Sequence, residues 1–118
     1  MAARLLRMAI DGDIEIAVSE PIIDETIRVL REKFEWRPYD LHDALLRMRR
    51  IGRIVEPKVK LSFLGDEPDN RILECAAEAG SEFIVTEDKA MLNLKQHGSA
   101  KIMRLFDFLR ELEPGRER

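Results

Sequence analysis

Apolar positions recur along this chain at two periods, and the alternation between them predicts the fold. Leu5, Leu6, Ala9 and Ile10 share one helical face and Gly12 follows where a helix would stop, so a first helix is expected to begin almost at Met1. IEIAV, residues 14 to 18, is short and partly alternating. Ser19 and Glu20 then lead into Pro21, a residue favoured in the first helical turn, which predicts strand, cap and helix in that order. Ile22, Ile23, Thr26, Ile27 and Leu30 make the inward face of this second helix, which frays into REKFEWRPYD. Asp40 is expected to cap a third helix whose stripe is Leu41, Ala44, Leu45, Met48 and Ile51, with Gly52 at its end.

Beyond Gly52 the pattern predicts an extended RIVEP, an irregular KVKLSFLGDEPD, and a helix capped by Asp69 that turns Ile72, Leu73, Ala76 and Ala77 inward and stops at Gly80. The strand EFIVT, a short helix from Lys89 to Leu94, the extended KIMRL and a helix from about Phe106 to Leu112 complete the series. Strands separated by helices call for right-handed crossovers, hence a small three-layer α/β/α domain with a mainly parallel sheet. Residues 1–112 should form this domain, and the polar EPGRER, residues 113–118, a disordered tail.

Composition narrows the class. With 118 residues, 45% hydrophobic and 36% charged, one core is expected. A net charge of -3 provides no global positive field for nucleic acid or anionic membrane, so such contacts would need a local patch. Arg47, Arg49, Arg50 and Arg53 with Lys58 and Lys60 are the densest basic stretch, and a solvated helix face is their expected role. The lone Cys75 excludes an internal disulfide, and no Cys/His spacing suggests zinc, which together point to a reducing cytoplasm. No signal-peptide pattern opens the chain and no apolar run approaches the roughly 18 residues of a membrane span. Trp36 and Tyr39 beside Phe34 are expected to cover the core, and Met8, Met48, Met91 and Met103 to fill it.

The chemistry-bearing residues are acids placed where a parallel sheet keeps its crevice, beyond the carboxyl ends of the strands. Asp24 and Glu25 follow IEIAV; Asp66, Glu67 and Asp69 lie in GDEPD; Glu87 and Asp88 follow EFIVT, just after Thr86. Converging carboxylates repel, and a hard divalent cation resolves that repulsion. Each acid also has a simpler reading. Asp69 and Asp88 can cap the helices they precede, and Glu25 can be a solvated flank of its helix. Composition and spacing alone favour these simpler roles.

The order of the segments DGDIEIAVSEPIIDETIRVL, DEPDNRILECAAEAGSEFIVTEDKAML and KIMRLFDFL, with ARLL ahead of them, resembles the PIN-domain family, in particular the toxins of toxin–antitoxin systems. The resemblance implies that Glu25, Asp69 and Asp88 ligate Mg²⁺ or Mn²⁺, with Thr86 beside them, in a ribonuclease that cuts single-stranded RNA. It implies as partner a small antitoxin, one helix of which would lie in an apolar groove near the first two helices. Members of the family open with a further strand that carries an aspartate and is central in the sheet, and this sequence begins after it. The expectations that follow are a missing first ligand, little or no nuclease activity, and two strand edges left without a neighbour. Those edges would be repaired by IEIAV pairing directly with EFIVT, or by exchange with a second copy in a homodimer. The alternative is a non-catalytic interaction module that keeps the fold.

Overall fold

The computed structural model describes residues 2–113, with side chains from residue 4 onward. The expected tail at 113–118 lies, apart from Glu113, outside the described residues. The chain runs α1 (Ala2–Ile10), β1 (Ile16–Val18), α2 (Glu20–Glu32), α3 (Pro38–Ile51), β2 (Gly52–Ile54), α4 (Glu67–Ala79), β3 (Phe83–Val85), α5 (Lys89–Leu94), β4 (Gln96–His97), β5 (Ala100–Met103) and α6 (Leu105–Glu111). Helices and short, mainly parallel strands alternate as the periodicity predicts, which makes this an α/β domain.

The strands form two sheets where one was expected. β1 pairs in parallel with β2, Ile16 opposite Gly52. β3 pairs in parallel with β5, which in turn takes β4 as an antiparallel neighbour, giving the order β3-β5-β4. β1 and β3 are not hydrogen-bonded to one another, so the expected direct pairing of IEIAV with EFIVT does not occur. β4 escapes prediction because two residues, Gln96 and His97, carry too little periodicity to register.

Several boundaries differ for local reasons. α3 begins at Pro38, whose ring presets a helical φ, and Asp40 therefore sits inside the first turn, paired with Arg37 at 3.3 Å. α4 begins at Glu67 with Asp66 as its cap, so Asp69 is not the cap that the sequence suggested. Gly80 ends α4 in the left-handed region at φ 65°, a position that costs glycine little.

Leu73 and Ala76 of α4 pack with Ile84, Met91, Ala100 and Ile102 as the main core, and Phe108 meets Phe83 edge-on at 5.2 Å. Met91 is the buried methionine; Met8, Met48 and Met103 are half-buried. Phe34, Trp36 and Tyr39 are exposed, Tyr39 at 81%, so they do not cover the core. No helix among the described residues is long and apolar enough to cross a membrane.

Gly52 opens β2 against β1. A Cβ there would stand 2.8 Å from Val18 Cγ2 and 3.0 Å from the Met48 carbonyl oxygen. Gly52→Ala is expected to cost about 1–3 kcal/mol, as overpacking does, and a urea titration would measure it.

Candidate functional site

The acids are carried by α2, by the loop entering α4 and by the turn after β3. The middle support is the least regular part of the chain, residues 55–66, and buried polar groups of α4 hold it in place. Asn70, fully buried, accepts from the Leu64 amide at 2.7 Å and donates to the Leu64 carbonyl at 2.8 Å. One turn on, Glu74 accepts from the Leu61 amide at 2.5 Å and pairs with Arg71 at 2.9 Å, while Arg71 donates to the Leu61 carbonyl. Buried polar side chains are retained where they satisfy backbone that has no ladder of its own. Sequence reasoning missed all three. The spacing of Asn70 and Glu74, one turn apart beside Leu73, puts them on one face, but only the folded loop shows that this face is covered.

With the loop fixed, Asp66 caps α4, its Oδ1 accepting from the Asp69 amide at 3.2 Å. This leaves the Asp69 carboxylate free of capping duty and half-buried. Burial pushes its pKa above the usual aspartate range, and the charges of Asp66 and Asp88 push it the same way. Asp88 comes from the far side, at the end of β3. Its amide donates to Thr86 Oγ1 at 3.0 Å, and its Oδ2 accepts from the Met91 amide at 2.9 Å, so it caps α5 as the simpler reading held. Thr86 thus shapes the turn that carries Asp88. Glu87 is drawn off to Arg104 at 3.0 Å.

Glu25 stands in a different field. Both its carboxylate oxygens accept from Arg28 at 2.8 Å, and this guanidinium lowers the Glu25 pKa, helped by the charge of Lys33. The structure therefore brings Asp69 under the influence of Asp66 and Asp88, and ties Glu25 to its own helix. Among the described residues no three His, Cys, Asp or Glu groups stand together in a way that could hold one metal ion. Asp69 and Asp88 offer the carboxylate oxygens that a hard cation takes, and the charges of Asp66 and Asp88 both act on Asp69.

Other candidates are weaker. Arg47 pairs with Asp43, Arg49 with Glu20 and Arg53 with Glu15, so much of the basic stretch is neutralised. Cys75 is buried and burial raises its thiol pKa, which makes it a poor nucleophile.

The two kinds of acid respond oppositely to pH. Asp69, raised in the folded state, contributes stability that is present below its unfolded pKa and lost as pH rises through its folded value. Glu25, lowered, contributes stability that is present above its unfolded pKa and lost as pH falls through its folded value. Urea titrations should therefore show Asp69→Asn gaining on the wild type as pH rises above the ordinary aspartate pKa, by less than about 1 kcal/mol after solvent screening, while Glu25→Gln loses ground as pH rises toward the ordinary glutamate pKa.

A family model described as PIN domain matches residues 1–90. No curated protein and no solved structure matches the chain.

Proposed function

The chain belongs to the PIN-domain family, a nuclease-like fold generally dependent on divalent metals, and from that premise we propose that it is an Mg²⁺- or Mn²⁺-dependent endoribonuclease, the toxin of a toxin–antitoxin pair. The observation that carries this reading is the Asp69 carboxylate, left uncommitted by Asp66 and lying within the influence of Asp88. Asp69 and Asp88 are the oxygen donors we assign to the cation, and Glu25 is the third, once it parts from Arg28. A divalent ion bound there would supply an activated water and neutralise charge gathering on a phosphodiester. The chain's own contribution is positional. Asn70 and Glu74 fix the loop that leads to Asp69, and Thr86 holds the turn that presents Asp88.

Arg28 is expected to compete for Glu25. Arg28→Gln should tighten Mn²⁺ binding several-fold, and Glu25→Gln should weaken it, both read by calorimetry. The function itself is tested by incubating the full chain with a labelled single-stranded RNA and Mn²⁺. Cleavage that requires the metal and falls at least about 100-fold in Asp88→Asn supports the reading. No cleavage beyond a metal-free control opposes it.

A second reading, a non-catalytic interaction module, is favoured by the pairing of Glu25 with Arg28 and by the lack of three converging ligands among the described residues. It predicts no cleavage and no specific metal response.

A further inference from the structure

The irregular segment that leads to Asp66 is strapped along α4, and the strap has an outer side. On the inner side its backbone is held by side chains of the helix. The Lys58 amide donates to Glu78 Oε1 at 3.1 Å, Glu74 and Arg71 hold the amide and carbonyl of Leu61, and Asn70 holds those of Leu64. These anchors step back along α4 as the chain advances, so the strap runs antiparallel to the helix, toward the turn that carries Asp69. Leu61 and Leu64 pack against the core. Lys58, Lys60 and Phe63 are left outside, Phe63 at 66% exposure.

Phe63 is fixed as well as exposed. Its ring stands 6.5 Å from that of half-buried His97, in the hairpin that follows α5. Three residues separate Phe63 from Asp66, which keeps their Cα atoms within about 11 Å. His97 in turn follows the short helix that Asp88 caps. The two arms that carry the acids therefore also carry the two rings. The charge beside them is positive: among the described residues no ion pair engages Lys58 or Lys60, whereas Arg47, Arg49 and Arg53 upstream are each paired with an acid. An aromatic face with free ammonium groups beside it suits a single nucleic-acid strand, whose bases stack on the ring while its phosphates meet the cations. An apolar protein segment would use Phe63 and gain nothing from the lysines.

We propose that Phe63, backed by His97, is a stacking platform for one base of a single-stranded RNA, and that Lys58 and Lys60 meet the phosphates of that strand as it runs along the strap away from Asp69. This assignment deepens the ribonuclease reading and rests on it for the kind of ligand.

The probe is a fluorescein-labelled oligouridylate, titrated with the full chain in EDTA and followed by anisotropy, so that binding is read apart from cleavage. The expected result is saturable binding that Phe63→Ala weakens at least about fivefold and Phe63→Trp retains. Lys58→Ala with Lys60→Ala should make the slope of log affinity against log salt shallower by about 1.4, the share of two phosphate contacts on a single strand. An RNA hairpin, whose base faces are covered, should bind at least about tenfold more weakly. All these positions are exposed, so circular dichroism and urea midpoints should stay those of the wild type. No binding by the wild type, equal binding by Phe63→Ala, or a duplex bound as tightly as the single strand would overturn the proposal. Cleavage with Mn²⁺ by a Phe63→Ala chain that binds RNA as the wild type does removes the platform and keeps the nuclease. Binding that depends on Phe63, without cleavage under Mn²⁺, keeps the platform and removes the nuclease.

Discussion

Replacing Asn70 by alanine is expected to lower the unfolding free energy by about 2–4 kcal/mol, the largest loss among the substitutions considered. The side chain is fully buried and saturates both backbone groups of Leu64, at 2.7 and 2.8 Å. Alanine removes both partners at once and leaves a void beside them. Each stranded group costs about 1–3 kcal/mol where water cannot reach it, and Leu64 is half-buried, so the total should fall short of the sum of two such costs. With a urea slope of about 1–3 kcal/mol per molar, the midpoint should drop by about 1–2 M. Asn70→Asp should lose nearly as much, because a carboxylate cannot donate to the Leu64 carbonyl. A change below about 0.5 kcal/mol in the alanine variant, the range of ordinary surface substitutions, would show that the loop does not depend on this anchor.

Asp69→Asn should have the largest functional effect. A cation held partly by Asp69 stabilises the native state by about 2.7 kcal/mol at a hundred times its dissociation constant, which raises the melting temperature by roughly 10 °C in a domain of this size. The asparagine variant keeps the shape and loses the charge. It should show less than a quarter of that rise under the same Mn²⁺, and any RNA cleavage should fall by at least about 100-fold. Without metal its melting temperature at neutral pH should equal or exceed that of the wild type, since the repulsion from Asp66 and Asp88 is gone. A variant that melts lower without metal and responds to Mn²⁺ as the wild type does would assign Asp69 a structural role.

The alternation of helix and strand was legible because it rests on periods that only local sequence sets. Gly80 and Asp88 were legible for the same reason: a left-handed helix end and a cap are short-range chemistry. What escaped depends on contacts between distant segments. The split of the sheet is a fact about which edges meet, and IEIAV reads the same whether or not EFIVT pairs with it. Asp66 displaced Asp69 as cap because Pro68 fits the first turn of α4, which moves the start of the helix back. Asn70, Arg71 and Glu74 look like ordinary helix surface until the irregular loop folds over them.

The site was legible in part. Asp69 and Asp88 stood out beside two strands, but spacing alone favoured caps for both and their joint assignment came from resemblance; in the structure the charge of Asp88 does act on Asp69. Glu25 was placed by resemblance, and its bond to Arg28, three residues on, is a local competitor that spacing could have flagged.

The central claim is that carboxylates around Asp69 hold a divalent cation. Electron paramagnetic resonance of Mn²⁺ tests it most directly, because the six-line signal of the free ion is lost when the ion binds. Titrated with the full chain at physiological ionic strength, the signal should fall to a single saturable equivalent, and Asp69→Asn should restore most of it. An unchanged signal, or equal loss with both proteins, would contradict the account.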